Sequence, residues 1–386
     1  MNDINFWKPI YQLFKPDEPL ENQKDLRDFY VRRDDSPVDS LVNLLAMEDG
    51  SAKYLVAGHR GSGKTTELRR LEQRCAADYT VVWVDTDTAL DKFNIGYAEV
   101  MVLMGMSIVE QVAKAGWQLP KALEQELLNG LAKVTYQGKK EESGSLQLPK
   151  VFQDLGMLLK VGFQQETIRT LEVRPALSEI VAKVNAIIAA AEAANFKLLV
   201  IVDGLDRKDY GIALEMFSSS LMTALNCHIV YAVPIALRYS PSFKQPMESF
   251  EKCLDLANVP VVKCDENSCP TAEPDNVGRH ILATVVEKRL AKLGDSCQGL
   301  FQTDALDFLC EKSGGVMRDL VRLARTACEV ALRESASSIS LDIAQRAVRE
   351  GSIPIMREQL KRKLTIEIGA SQLQHWIDGL QVPFCA

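Results

Sequence analysis

The sequence has no long apolar run, no surplus of positive charge and no paired-cysteine framework, and each absence narrows what the chain can do. Crossing a bilayer takes about 20 consecutive apolar residues. The nearest approach, Val100 to Val109, is far too short, so no membrane partner is expected. Forty-five lysines and arginines stand against 52 aspartates and glutamates, a net charge of −7. That balance disfavours non-specific coating of nucleic acid and leaves a local basic patch as the only route to it. The nine cysteines are odd in number and scattered, as expected of reduced thiols in a cytoplasm. The closest pair, Cys264 and Cys269, lacks the second pair that a zinc site needs. The four histidines, His59, His228, His280 and His375, have no ligand cluster around them and read as structural or spacer residues. The first residues, MNDINFWKPIYQ, carry no basic segment followed by an apolar run, so no secretory leader is expected. No internal repeat is visible. What remains is ordinary globular material, 47% hydrophobic and 25% charged over 386 residues, long enough for two or three domains.

Against that background one motif stands out. Gly58 to Thr65 reads GHRGSGKT, a complete G-x-x-x-x-G-K-[ST] phosphate-binding loop. Apolar KYLVA precedes it and helix-compatible TTELRRLEQR follows, the strand, loop and helix context the motif requires. Glycines 58, 61 and 63 let backbone N–H groups turn inward on phosphate oxygens, and the new helix aims its positive end at the same anion. His59, Arg60 and Ser62 complete the loop. Lys64 is placed to reach the β- and γ-phosphates, the Thr65 hydroxyl to ligate Mg²⁺, and Thr66 to cap the helix or touch the α-phosphate.

Five short apolar runs predict buried parallel strands: Lys53–Ala57, Thr80–Asp85, Lys197–Asp203, His228–Val233 and Val259–Lys263. Helix-length sequence separates them, which predicts a three-layer α/β core with its ligand at the carboxyl ends of the strands. Helices are expected over Ala98–Val112 and Ala176–Ala194, with polar Gln137–Pro149 between them as a surface excursion or, alternatively, a gating or contact loop. Beyond turn-rich Glu266–Asn276 only helices follow, over about Val277–Lys292, Thr303–Lys312, Val316–Glu334 and Leu341–Arg349, with Gly315 suited to a helix terminus. The expected division is 1–40 as an N-terminal extension, 41–265 as the core with an insertion near 115–175, 266–350 as a helical lid, and 351–386 as a helical extension. Phe6, Trp7, Ile10, Tyr11 and Phe14 share helical spacing and are expected to dock on the chain itself, with a partner-binding anchor as the alternative. Arg357, Lys361, Arg362 and Lys363 read as a solvated face, with a nucleic-acid contact as the alternative.

A phosphate loop needs a carboxylate for its metal. In KLLVIVDGLDR, Asp203 ends a buried strand expected to lie beside the phosphate-loop strand, where it can hold Mg²⁺ through water. Hydrolysis also needs an acceptor to orient the attacking water. Gly204 offers none, and Asp206 is the best available substitute.

GHRGSGKT, IVDGLD and the later GGVMRDLVRLA together resemble the AAA+/STAND class of P-loop ATPases, most of all origin-recognition-like and NACHT-like bacterial ATPases, over roughly residues 25 to 350. The resemblance implies ATP and Mg²⁺ as cofactors. It implies Arg318 as the sensor-2 arginine that touches the γ-phosphate, and Tyr30, Val31 and Arg33 in FYVRRDD as adenine contacts. Val233-Pro234 stands where many AAA+ proteins carry a polar sensor-1 residue, and no arginine finger is evident, though Arg238 lies near the expected place. Both departures fit a switch that binds ATP tightly and hydrolyses it slowly. The resemblance alone implies that it works as a homo-oligomer or on a separate effector protein, and that it serves bacterial anti-phage defence. The alternatives are an AAA+ ATPase that loads or remodels DNA, and a nucleotide-binding scaffold without turnover.

Overall fold

The computed structural model of the chain describes residues 4–89, 96–124, 126–127, 173–266, 269–294 and 297–351. Gln137–Pro149, the basic residues 357–363, His375 and the C-terminal extension beyond residue 351 lie outside the described residues. The chain forms two compact units. One comprises Pro19–Arg27 and Arg32–Ala257, and the other the described parts of Met1–Glu18, Asp28–Val31 and Asn258–Ala386.

In chain order the elements are α1 (Ile4–Leu13), α2 (Gln23–Phe29), α3 (Pro37–Met47), β1 (Lys53–Gly58), α4 (Lys64–Cys75), β2 (Thr80–Asp85), α5 (Thr86–Ala89), α6 (Tyr97–Lys114), α7 (Val173–Ala193), β3 (Leu198–Asp203), α8 (Tyr210–Phe217), β4 (His228–Pro234), α9 (Ile235–Arg238), α10 (Lys244–Met247), β5 (Lys252–Leu256), β6 (Val262–Cys264), β7 (Pro270–Pro274), α11 (Asn276–Leu290), α12 (Thr303–Lys312) and α13 (Met317–Arg333).

The first unit is a five-stranded sheet in the order β2-β3-β4-β1-β5, every neighbouring pair parallel. Side chains alternate across a strand, and here both sets are apolar. Tyr54 and Val56 of β1 join Val230 and Ala232 of β4 under α3 and α4, which contribute Leu41, Leu45, Leu68 and Leu71. Leu55 and Ala57 point the other way, with Tyr231 and Val233, into a core built with α6, α7 and α8. This is the expected three-layer α/β architecture with helices on both faces. Fully burying a residue such as Leu71 contributes about 2 kcal/mol. α3 starts cleanly because the Ser36 side chain accepts from the Val38 N–H and Pro37 occupies the first turn. His228 belongs to the structure: its Nδ1 accepts from the Ala52 N–H at 3.1 Å, and burial, helped by Lys53 and Lys197, lowers its pKa.

Two expectations about the sheet fail. The strand bearing Asp203 is not beside the phosphate-loop strand, because β4 lies between β3 and β1. α4 bridges the gap by packing against β3 as it leaves the loop. The fifth strand is Lys252–Leu256, not Val259–Lys263. As a sheet edge paired only to β1, it buries Leu254 and Leu256 while Lys252 stays exposed, so it carries no continuous apolar run to read. Val259 is instead buried in the core of the second unit, its N–H bonded to the Gly315 carbonyl at 3.1 Å, and Val262–Cys264 pairs antiparallel with Pro270–Pro274.

The described part of the second unit is otherwise helical. Trp7, Ile10 and Phe14 of the N-terminal segment are buried in its core. Trp7 Nε1 donates to the Ala336 carbonyl at 3.2 Å, and the Arg325 guanidinium lies 3.9 Å above the Tyr11 ring. The N-terminal aromatic group thus docks on its own chain. Gly315 has a φ of 77° ahead of α13. No described helix is long and apolar enough to cross a membrane.

Candidate nucleotide site

β1 ends at Gly58 and α4 begins at Lys64, so His59 to Gly63 form the loop. Its shape depends on glycine. Gly61 and Gly63 have φ of 92° and 101°, a region costly for residues with a Cβ. A Cβ on Gly58 would sit 2.8 Å from the Leu256 carbonyl oxygen and 3.0 Å from Ser62 Oγ. The first N–H groups of a helix have no intrahelical acceptor, and here the cap residue Gly63 supplies no side-chain bond to them. His59 and Arg60 are exposed, whereas Ser62 and Lys64 are buried.

Lys64 Nζ donates to the Gly58 carbonyl at 2.7 Å and to the His59 carbonyl at 2.8 Å, and pairs with Asp206 Oδ2 at 2.9 Å. Beside it, Thr65 Oγ1 donates to Asp203 Oδ2 at 2.7 Å. Asp203 is 6% exposed. Burial pushes its carboxyl pKa up, the Thr65 hydrogen bond opposes the rise, and the neighbouring Asp206 carboxylate adds to it. Four residues singled out from sequence, Lys64, Thr65, Asp203 and Asp206, therefore meet at one strand-end edge. Asp206 gets there on a single 3₁₀ turn, Leu205–Arg207.

The fit to a nucleotide and metal can be read from these atoms. Ser62 Oγ is buried without a hydrogen-bond partner, an orphan that a phosphate oxygen would satisfy. The Thr65 hydroxyl and Asp203 carboxylate are hard oxygen donors of the kind Mg²⁺ prefers. The residues present fit Mg²⁺ and a polyphosphate.

Gly204 cannot be exchanged for a glutamate without strain. Its φ is 93°, and a Cβ would lie 2.6 Å from Thr86 Oγ1. Thr86 Oγ1 is fixed there by donating to the Asp203 carbonyl at 2.9 Å. Gly204→Glu is therefore expected to destabilise the fold by at least about 2 kcal/mol and not to speed turnover, as a melting curve with a turnover assay would read. A variant that melts like wild type and hydrolyses faster would contradict this geometry.

The supports of the site carry no motif of their own. Thr86 follows directly on β2, whose last residue Asp85 is in register with Asp203, so the pairing of the two strands brings it to the site. Arg207 pairs with Asp87, whose carboxyl is raised by burial and lowered by that arginine. Ser36 Oγ donates to the buried Glu67 at 2.6 Å, tying α3 to α4. Arg33, expected at the base, is bound to the loop itself: Nη1 donates to the Ser62 carbonyl at 3.1 Å. Arg238 pairs with Asp255 at 3.1 Å.

Tyr30, Val31 and Arg318 belong to the second unit. The Tyr30 carbonyl accepts from Lys288 at 2.7 Å, and Val31 packs on that unit's core. Arg318 Nε donates to the Pro16 carbonyl at 3.2 Å and lies 3.8 Å from Asp17.

The parallel sheet with a phosphate loop after β1 puts the first unit in the P-loop NTPase fold class. No known family's model matches the sequence, and no curated protein matches it. Solved structures similar to it include the ORC2 protein of Aeropyrum pernix, at 17% identity over 94% of this chain and 82% of that one, TM-score 0.46. Cdc6p from Pyrobaculum aerophilum matches at 11% identity over 88% and 70%, TM-score 0.45. The RuvB Holliday junction branch migration motor of Thermotoga maritima matches at 11% over 95% and 86%, TM-score 0.41. Likeness at this level assigns no function.

Proposed function

We propose that the chain is a Mg·ATP-binding switch that hydrolyses its nucleotide slowly. The observation that supports it best is the convergence of two pairs, Lys64 with Asp206 and Thr65 with Asp203, at an uncapped helix N-terminus behind a glycine loop. Backbone N–H groups of the loop and α4 would bind phosphate oxygens. Lys64 would hold the terminal phosphates, and Thr65 with Asp203 would hold the metal. Mg²⁺, when bound, neutralises charge on the transferred phosphoryl group. The choice of ATP over GTP comes from the AAA+/STAND resemblance. So do the sensing role of Arg318, base contacts from Tyr30 and Val31, control of self-assembly or of a partner effector, and a setting in bacterial anti-phage defence.

Slow turnover has a physical basis. Gly204 brings no carboxylate, and Asp206, whose Oδ2 pairs with Lys64 at 2.9 Å, is left as the acceptor that would orient the attacking water. Asp206→Asn is expected to lower ATP turnover about 10- to 100-fold while nucleotide affinity stays near wild type. Unchanged turnover would remove Asp206 from the reaction, and turnover stimulated by added DNA would favour a DNA-remodelling ATPase instead.

A further inference from the structure

Arg33 is 4% exposed, and its guanidinium is bound within the sheet unit. Nη1 donates to the Ser62 carbonyl at 3.1 Å, Nη2 to the Ala257 carbonyl, and Nε and Nη2 grip the two oxygens of Asp35 at 3.0 and 2.7 Å. Four of the five N–H groups an arginine owns are thus spent on fixed protein oxygens. Ser62 is the residue whose Oγ is buried and unpartnered inside the phosphate loop, between Gly61 and Gly63 in left-handed backbone. A peptide unit has one carbonyl and one N–H on opposite sides. Holding the Ser62 carbonyl from outside therefore turns the N–H of Gly63 the other way. The other anchors are informative too. The chain re-enters this unit at Arg32 and leaves it at Ala257, so the same fork ties the loop to both of those points.

We propose that Arg33 is a positioning residue of the phosphate loop, acting through the Ser62 carbonyl, and not a contact to the nucleotide base. The assignment rests on the nucleotide-binding reading above and adds to it the residue that keeps the loop in its phosphate-facing shape.

The test compares three probes, ATP, GTP and inorganic tripolyphosphate, by titration calorimetry. Arg33→Lys keeps the charge but cannot hold two carbonyls and a carboxylate with one fork. It is expected to weaken all three probes by the same factor, about tenfold, the worth of one charge-assisted hydrogen bond. Asp35→Asn, which leaves the fork and loosens its anchor, is the second variant and is expected to give the same ligand-independent loss at smaller amplitude. Leu45→Ala, a core change in α3, is expected to lower the melting temperature yet keep wild-type affinity, which separates positioning from general destabilisation. Selective loss of ATP with tripolyphosphate unaffected, no loss in either variant, or an equal loss in Leu45→Ala overturns the proposal. Failure of the wild-type chain to bind any of the three probes would instead overturn the nucleotide reading itself.

Discussion

Lys64→Ala is expected to lower affinity for Mg·ATP by about a hundredfold or more. The ammonium is buried and makes three short polar contacts at the loop, to the Gly58 and His59 carbonyls and to Asp206, so it stands ready to exchange them for phosphate oxygens. A hydrogen bond from a charged group contributes about 1.5 to 3 kcal/mol, and 1.4 kcal/mol is a factor of ten in affinity. The loss should fall on inorganic tripolyphosphate as heavily as on ATP, because the lysine reads phosphate and not base. Titration calorimetry measures both. A variant that still binds ATP like wild type would remove Lys64 from the site.

Asp203→Asn is expected to make the chain more stable and less active at once. Burial raises the Asp203 carboxyl above its ordinary 3.8 in the folded protein. An acid raised on folding contributes stability that is fully present below the unfolded pKa and is lost as pH rises through the folded pKa. At neutral pH the ionised carboxylate therefore works against the fold. Asparagine keeps an oxygen for the Thr65 hydroxyl at no charge cost, so melting without nucleotide should rise by about 1 kcal/mol of stability at pH 7. The gain should vanish at acid pH, where both states are protonated. With Mg·ATP present the order should reverse, because the wild-type site gains ligand stabilisation that the variant, lacking a charged metal ligand, forgoes. Melting curves with and without Mg·ATP give both halves; a destabilised variant at neutral pH, or one that keeps Mg²⁺-dependent stabilisation, would contradict the assignment.

Much of this site could be read without coordinates because its chemistry is local in sequence. The loop spacing, the apolar strand before it and the aspartate at the end of LLVIVD each lie within a few residues of one another. Asp206 could be reached for the same reason, three residues beyond Asp203. The strand order was less accessible: nothing in either strand says that β4 separates β1 from β3, because all three are apolar on both faces and would pack equally well in either order. The fifth strand is hard to read because an edge strand needs only every second residue buried. KCLDL meets that need with Leu254 and Leu256 alone, while VPVVK is the more apolar segment and lies outside the sheet. The supports of the site were hidden for a third reason. Thr86 holds the Asp203 carbonyl across 117 residues of sequence, and Arg33 holds the Ala257 carbonyl across 224. Contacts to backbone carbonyls leave no signature in the partner's side chain.

The most direct test of the central claim is a structure of the chain with Mg²⁺ and a non-hydrolysable ATP analogue. The account predicts the terminal phosphates against the N-terminus of α4, within hydrogen-bond reach of Lys64 Nζ, and the metal beside Thr65 Oγ1 and the Asp203 carboxylate. An analogue bound elsewhere, with residues 58–65 making no phosphate contact, would contradict it.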